Sequence, residues 1–405
     1  MKKLVVIGAG PAGIMTSIAA SKENSVILID KNEKIGKKLF ITGKGRCNIT
    51  NNKDISEFFN HINTNKDFLY SALYGFTNKD LMDFIVGLGV PLKVERGGRV
   101  FPESDKSSDI ISALNRELIK RGVTMKLNSE VLKIVPNSGL ISHVVLTNGE
   151  IIKGDDFVIC TGGASYKSTG STGDGVNFAR SLGIKTTELT SALVPLNVKE
   201  DYIKCLQGLS LKNVLLYIYD CKKKIFDDTG EMLFTHFGIS GPLVLASSSK
   251  IKSDHNYNAF IDLKPYIDEN ELDRRIQREF LEFKNKIYKN SLEYLFPHKI
   301  IPVLMTLSEI DENTPVNSIT KLQRRKLVGV IKRFPFTITS KRDLDEAIVT
   351  KGGICVNEIN PSNMQSKKYQ NLYFAGEVID VDAYTGGYNV QIAFSTGYAC
   401  GSKIK

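Results

Sequence analysis

Two short apolar runs near the start of the chain, separated by a helix-compatible segment, predict a strand, a helix and a second strand. The runs are residues 4–7 and 26–29, and the segment between them is residues 12–21. Apolar runs of this length without polar alternation are typical of strands buried on both faces of a parallel sheet. The opening of the chain therefore predicts a βαβ unit.

The same alternation of strands and helices continues to about residue 190 and returns near the C-terminus. Residues 107–121 have the spacing of an amphipathic helix, and residues 157–160 read as a buried strand. A further buried strand at residues 372–375 precedes an apolar helix at residues 388–400. This alternation is typical of an α/β domain built on a parallel sheet.

The pattern between about residues 191 and 340 is different. Short alternating stretches, such as residues 214–219 and 259–263, predict antiparallel strands or a small barrel. Residues 269–287 and 322–333 predict helices. Because the α/β pattern resumes afterwards, we expect this block to be an insertion.

Composition limits the class of protein. The 405 residues suffice for two or three domains, and 42% of them are hydrophobic. No apolar run approaches the ~20 residues that span a bilayer. Lys2 and Lys3 precede an apolar stretch as in a secretory signal, but glycines interrupt it and no small-residue cleavage site follows. We therefore expect a cytoplasmic protein that does not associate with membranes.

Cysteine spacing and net charge narrow the chemistry further. The six cysteines form no Cys-x-x-Cys pair and no Cys/His ligand spacing, so we expect reduced thiols and no metal. The net charge of +10 suits anionic ligands, and its densest basic cluster is residues 321–333. We interpret that cluster as a solvated helix face, since no aromatic residues interleave it. The sequence thus favours a small-molecule substrate over nucleic acid and leaves the oligomeric state open.

A glycine-rich turn joins the first predicted strand to the first predicted helix. A Gly-x-Gly-x-x-Gly turn lets a pyrophosphate approach the backbone, and an acid after the second strand binds a ribose. Asp30 is that acid here, and its carboxylate disfavours the 2′-phosphate of NADP. The predicted nucleotide-binding residues in this part of the chain are Gly8, Ala9, Gly10, Pro11, Ala12, Gly13, Asp30 and Lys31.

Later segments favour FAD as the nucleotide. Residues 36–52 are glycine-rich and basic, which suits a long phosphate-containing ligand, although a free anion-binding loop is the alternative. Glu377 follows a strand where it would contact a ribityl chain or phosphate. Gly386 and Gly387 open the last helix, whose N-terminal amides would face the electron-rich edge of a reduced flavin. An ordinary helix cap is the alternative interpretation of that last segment.

Five motifs, in order along almost the whole chain, resemble one family. They are GAGPAG at residues 8–13, TGKGRCN at 42–48, GRVFP at 98–102, LFTHFGISGP at 233–242 and GGYNVQ at 386–391. The chain resembles the BaiN-like, or aminoacetone-oxidase-like, bacterial FAD-dependent oxidoreductases. The resemblance implies a discontinuous Rossmann-like FAD-binding domain (residues 1–190 and 341–405). It also implies an inserted β-barrel-like domain (residues 191–268 and 334–340) that carries a small helical subdomain (residues 269–333).

The resemblance also implies roles for individual residues. Gly8, Gly10 and Gly13 would hold the pyrophosphate, Asp30 the adenosine ribose, and the Val131 backbone the adenine. The other residues implied to contact the cofactor are Lys38, Thr42, Gly43, Arg46, Cys47, Asn48, Thr161, Gly162, Gly376, Glu377, Gly387, Asn389 and Val390.

The expected chemistry is electron transfer through the flavin. No second Gly-x-Gly-x-x-Gly turn is present, so NADH or NADPH would bind transiently as a reductant, or oxygen would reoxidise the flavin. Cys47 has no second cysteine nearby, which argues against dithiol chemistry. His236, in a turn rich in glycine and serine, is the candidate catalytic residue, and a structural turn histidine is the alternative.

We therefore predict an FAD-dependent oxidoreductase that acts on a small or steroid-like organic substrate. The sequence leaves open whether it is a reductase or an oxidase. The alternatives are a flavin-dependent tRNA-modifying protein and a non-catalytic flavin redox sensor.

Overall fold

The computed structural model describes residues 1–252, 255–283 and 286–404. Its strands are β1 (Lys2–Ile7), β2 (Asn24–Ile29), β3 (Thr50–Asn51), β4 (Ile62–Thr64), β5 (Leu92–Glu95), β6 (Arg99–Pro102), β7 (Thr124–Lys126), β8 (Val131–Asn137), β9 (Leu140–Leu146), β10 (Ile151–Lys153), β11 (Asp156–Ile159), β12 (Thr190–Ala192), β13 (Leu196–Val198), β14 (Ser210–Asp220), β15 (Lys223–Phe234), β16 (Gly238–Ser240), β17 (Tyr257–Asp262), β18 (Phe334–Lys341), β19 (Val349–Lys351), β20 (Leu372–Phe374) and β21 (Asp382–Ala383).

The α-helices complete the secondary structure. They are α1 (Pro11–Ala20), α2 (Lys37–Gly45), α3 (Ile55–Phe58), α4 (Tyr70–Gly75), α5 (Asn78–Gly87), α6 (Ser107–Lys120), α7 (Asp174–Ser181), α8 (Asp201–Cys205), α9 (Pro242–Ser247), α10 (Glu269–Glu282), α11 (Ile301–Ser308), α12 (Lys321–Lys332) and α13 (Tyr388–Gly401). Among the described residues, no helix is both long enough and apolar enough to cross a bilayer.

Contacts divide the chain into two compact units. The first, here called the sheet unit, consists of Met1–Ala192 and Leu344–Lys405. The second, the barrel unit, is Leu193–Asp343. Each has its own cluster of buried apolar side chains, and the chain enters and leaves the barrel unit once.

The sheet unit is built on five parallel strands in the order β20-β11-β1-β2-β7. The central strand β1 pairs with β2 on one side and β11 on the other, and Leu4, Val5 and Val6 are fully buried. Burial on both faces explains why these strands read as continuous apolar runs. The sheet unit also contains four smaller antiparallel sheets. They are β3-β6-β5, β8-β9-β10, β12-β19 and β21-β4.

Helices α1 and α13 bring the two ends of the chain together. The Thr16 hydroxyl donates a hydrogen bond to the Gly397 carbonyl at 3.1 Å. A Cβ at Gly397 would lie 2.4 Å from the Ala12 carbonyl oxygen, so the helices touch through backbone atoms. The two segments of the sheet unit are therefore joined by direct packing of α1 on α13.

The barrel unit contains a closed six-stranded barrel in the order β13-β16-β15-β14-β17-β18, with all pairs antiparallel. Leu272 of α10 and Leu327 of α12 belong to the same apolar cluster as Leu216 and Ile261 of the barrel. The predicted fold class, a Rossmann-like α/β domain with a barrel-like insertion, is confirmed. The separate status of residues 269–333 as a subdomain stays a prediction.

Candidate functional site

Predicted site residues follow the ends of four neighbouring strands of the parallel sheet. The strands β1, β2, β11 and β20 end at Ile7, Ile29, Ile159 and Phe374. The predicted residues that come next are Gly8, Asp30, Thr161, Gly162, Gly376 and Glu377. The carboxyl ends of parallel strands share one sheet edge, and ligands bind there where the strand order reverses. Strand β1 is at that reversal, because β2 and β11 lie on its opposite sides.

The glycine turn before α1 is closely packed at one glycine and open at another. A Cβ at Gly13 would lie 1.8 Å from the Gly8 carbonyl oxygen, so packing within the protein requires this glycine. A Cβ at Gly10 would meet no atom within 4 Å, and its φ of −78° is ordinary. Packing against the described residues therefore does not require glycine at position 10. The close approach of a ligand to the backbone would require it.

The N-terminus of α1 is suited to an anion. No side chain caps it, Pro11 occupies its first turn and no acidic residue lies in that turn. Unpaired N–H groups and the positive end of the helix dipole then face the space beside Gly10. Ala9, Pro11 and Ala12 thus lie in a turn whose geometry suits an anion such as a phosphate.

Asp30 connects the end of β2 to this turn. Its carboxylate accepts hydrogen bonds from the Ala9 N–H at 2.6 Å and from the Asn32 N–H at 2.8 Å. These bonds hold the carboxylate at the sheet edge beside the glycine turn. The neighbouring Lys31 donates to Thr172 and Asp174, both at 2.6 Å, so an acid in the first turn of α7 already pairs its charge.

The second half of α2 and the residues just after it have unusual backbone geometry. The helical angles are lost at Thr42, and Gly43, Lys44 and Cys47 have φ values of +59°, +61° and +65°. With its side-chain amide turned so that both of its ends are satisfied, Asn48 donates to the Thr50 carbonyl at 2.9 Å and accepts from the Gly387 N–H at 3.1 Å. Non-glycine residues with positive φ cluster at functional sites. Asn48 thereby ties this segment to the beginning of α13.

Arg46 and Cys47 have different surroundings in this segment. Arg46 pairs with Glu95 at 2.7 Å and Asp105 at 3.2 Å, and its guanidinium lies 4.2 Å from the Phe101 ring centre. Cys47 is fully buried, and burial raises the pKa of its thiol to about 12. A buried neutral thiol does not act as a nucleophile.

The beginning of α13, like that of α1, has no side-chain cap. A Cβ at Gly387, where φ is +102°, would lie 2.3 Å from the Thr50 carbonyl. Asn389 accepts from the Ala383 N–H at 2.9 Å and donates to the Ala383 carbonyl at 2.7 Å. Its side chain therefore fixes the preceding loop, while Val390 remains partly exposed. No side chain caps the helix, and its first turn contains no acid.

Lys38 and Glu377 form an ion pair that sequence spacing does not reveal. Their side chains are 2.7 Å apart and about one-fifth exposed. Lys38 also donates to Ser165 at 2.7 Å, and Glu377 accepts from the Thr350 N–H at 2.9 Å. Sequence reasoning missed Ser165 and Thr350, because nothing in the local sequence indicates that β19 reaches this sheet edge.

The remaining predicted residues lie elsewhere in the fold. Val131 begins β8, is almost fully buried and pairs with Leu146. His236 belongs to the barrel unit, where it is exposed between β15 and β16 and has its ring 4.9 Å from Phe237. All predicted cofactor positions are in the sheet unit, and the predicted catalytic residue is in the barrel unit.

The donors of the sheet unit fit a dinucleotide. The open position at Gly10 and the uncapped helix α1 suit its pyrophosphate, and the fixed carboxylate of Asp30 suits a ribose. The uncapped helix α13, packed on α1, suits an electron-rich ring system at the other end of the same ligand. These roles for individual residues stay predictions.

Comparison with known proteins identifies the family. The family model described as "HI0933-like protein Rossmann domain" matches residues 2–403. A 3-dehydro-bile acid delta(4,6)-reductase of Clostridium scindens is 30% identical over 410 residues, which cover 99% of this chain and 98% of that protein. A ribosomal RNA dihydrouridine synthase of Haemophilus influenzae is 30% identical over 405 residues, with coverage of 99% and 98%.

A solved structure shows a related fold. An Escherichia coli quinol fumarate reductase FrdA matches with a TM-score of 0.51 and 14% identity, over all of this chain and 70% of that one. The family match covers nearly the whole chain and agrees with the nucleotide-binding sheet edge described above. The chain belongs to the HI0933-like Rossmann family of FAD-dependent oxidoreductases.

Proposed function

We propose that this oxidoreductase reduces a carbon–carbon double bond conjugated to a carbonyl group in a small organic substrate. The observation that carries the proposal is the chemistry shared by two of its full-length relatives. A delta(4,6)-reductase of a 3-dehydro bile acid removes double bonds conjugated to a ketone. A dihydrouridine synthase saturates the uracil double bond next to a ring carbonyl. Both reactions add a hydride to an electron-poor alkene.

The residues of the sheet unit would have different roles in such a reaction. Gly10 and the first turn of α1 would bind the pyrophosphate, Asp30 the ribose, and the N-terminus of α13 the flavin edge that becomes electron-rich. When bound, FAD supplies the hydride chemistry, with NADH or NADPH as its reductant. The Lys38–Glu377 ion pair, held by Ser165 and Thr350, would lie near the cofactor.

Ion pairs of the barrel unit favour a small substrate over RNA. In the basic helix α12, Arg324 pairs with Asp273 and Lys332 with Asp262, both at 2.6 Å, and Lys326 pairs with Glu309. The Lys332 and Asp262 side chains are 13% and 6% exposed. Charges that are paired inside the protein do not replace counterions on a phosphate backbone. Arg324 and Lys332 are therefore less available to a phosphate backbone than the sequence of residues 321–333 indicates.

Anaerobic stopped-flow spectroscopy of the FAD-loaded protein tests the proposal. NADH or NADPH should bleach the flavin, and 2-cyclohexen-1-one or a 3-oxo-4-ene steroid should restore its absorbance. Cyclohexanone, which lacks the double bond, is the matched control and should leave the flavin reduced. A flavin that only oxygen reoxidises, or that an amine reduces in turnover, would overturn the proposal in favour of an oxidase.

A second candidate substrate is a uridine in RNA, because a ribosomal RNA dihydrouridine synthase is as similar to the chain as the bile-acid reductase. The flavin-dependent tRNA-modifying protein named above as an alternative would act on the same kind of substrate in a different class of RNA. Mass spectrometry should then find dihydrouridine in rRNA or tRNA incubated with the enzyme and NADPH. RNA retention should fall steeply with salt, and Lys321→Glu with Arg325→Glu, at exposed positions of α12, should weaken it.

The expected cytoplasmic location stays a prediction. The sensor alternative lacks support, because the named relatives are enzymes.

A further inference from the structure

His61 lies in the sheet unit at the loop that leads into α13, although sequence reasoning gave it no role. Its ring stacks on Tyr388, the first residue of α13, with ring centres 4.5 Å apart and an angle of 14° between the planes. Its carbonyl accepts a hydrogen bond from the Tyr384 N–H at 2.8 Å. Strand β4, which begins at the next residue, pairs with β21 just before the loop. His61 therefore contacts both the first residue of α13 and the loop before it.

The same loop is fixed by a residue predicted to contact the cofactor. Asn389 bonds the backbone of Ala383 and, at 3.3 Å, the Tyr384 carbonyl. Asn51, close in sequence to Lys53, donates to the Gly386 carbonyl at 3.1 Å. Asn389 and Asn51 therefore hold the loop before α13. His61, whose ring packs on the first residue of α13, lies next to the helix end that we assign to the flavin.

Lys53 determines which nitrogen of His61 carries the proton. The Lys53 ammonium lies 2.9 Å from Nε2 of His61. An ammonium group only donates, so Nε2 accepts and the proton of the neutral ring is on Nδ1. Among the described residues, no side chain or backbone atom is hydrogen-bonded to Nδ1. The ring is partly exposed, and its Nδ1–H has no hydrogen-bond partner within residues 1–252, 255–283 and 286–404.

Burial and the Lys53 charge favour the neutral form of the His61 imidazole by lowering its pKa. Burial lowers the pKa of its imidazole, the Lys53 charge lowers it further, and Glu57 opposes them. Tyr384 and Tyr388 are the other titratable groups beside the ring, and burial raises the pKa of Tyr388 to about 12. A neutral imidazole that donates from a fixed nitrogen can bind a carbonyl oxygen.

We infer that His61, through Nδ1–H, is the catalytic donor that binds the carbonyl oxygen of the conjugated substrate. The inference rests on the proposed function. The β-carbon of the substrate receives a hydride, the double bond breaks, and the electron pair moves onto the carbonyl oxygen as an enolate. The His61 N–H would stabilise that charge, and a proton from water would then complete the α-carbon. Donors placed at a developing oxyanion are among the strongest contributions to catalysis.

Three substitutions of His61 separate donation from packing. His61→Phe retains the ring on Tyr388 and removes the donor, His61→Asn retains an N–H near the Nδ1 position, and His61→Gln moves the N–H toward the Nε2 position. The measurement is the rate at which 2-cyclohexen-1-one reoxidises the reduced flavin, divided by the rate with oxygen. We expect the ratio to fall about 10²- to 10³-fold in His61→Phe and His61→Gln, the usual loss for one such donor, and to recover largely in His61→Asn.

The controls distinguish the two possible failures. His143→Ala, on β9, should leave the ratio at the wild-type value. A wild-type enzyme that reduces no enone would overturn the proposed function and this inference with it. A wild-type enzyme that reduces enones, with His61→Phe within threefold of it or His61→Asn no better than His61→Gln, would overturn the inference alone.

Discussion

At the residue scale, burial decides which cysteines can react. Burial raises the pKa of Cys47 and Cys160 to about 12, and that of Cys400 well above its ordinary value, whereas Cys205 and Cys221 are exposed. Because the thiolate is the reactive form, iodoacetamide at pH 8 should label Cys205 and Cys221 and leave the three buried thiols intact. Peptide mass spectrometry checks this, and rapid labelling of Cys47 would restore the possibility of thiol chemistry beside the cofactor.

The glycine turn makes a second prediction at this scale. Gly13→Ala should destabilise the apoprotein by about 1–3 kcal/mol, because the new methyl group collides with the Gly8 carbonyl. Gly10→Ala should leave apoprotein stability nearly unchanged and weaken FAD binding about tenfold or more, since its methyl group enters the space left for the ligand. Thermal unfolding without FAD and a flavin-fluorescence titration measure the two effects. Equal FAD affinity in Gly10→Ala would show that the pyrophosphate binds elsewhere.

At the element scale, two glycines inside helices should respond to alanine in opposite directions. Gly329 of α12 is exposed, and a Cβ there would meet no atom within 4 Å, so Gly329→Ala should stabilise the barrel unit by about 0.5–1 kcal/mol. Gly397 of α13 packs against the Ala12 carbonyl, so Gly397→Ala should destabilise the sheet unit. Denaturant unfolding compares them, and a stabilising Gly397→Ala would contradict the contact between α1 and α13.

At the scale of the whole molecule, one ligand should protect both ends of the chain. FAD at about 100 times its Kd stabilises the state that binds it by about 2.7 kcal/mol. Because α1 and α13 pack together, hydrogen exchange should slow in residues 8–13 and 386–391 when FAD is added to apoprotein. Strand β14 in the barrel unit serves as the internal control and should exchange at the same rate. Protection at the N-terminus alone would mean that α13 does not contact the cofactor.

The sequence by itself determined the features that depend on local pattern. Apolar runs predicted the parallel strands, because burial on both faces leaves no polar alternation. The spacing of Gly8, Gly10 and Gly13 predicted a glycine turn between a strand and a helix, since that geometry is local to one junction, and its role in anion binding stays a prediction. The change of pattern near residues 191 and 340 predicted an insertion, and its barrel is confirmed.

Tertiary structure decided what depends on residues far apart in the sequence. It joined Asn48 to Gly387 and Lys38 to Glu377, placed His61 against Tyr388, and paired the charges of α12 with acids such as Asp273. Hydrogen bonds and ion pairs act over a few ångströms in space, whatever the number of residues between the partners. A single sequence therefore indicates the cofactor turn, and the folded chain is needed to find the groups that surround it.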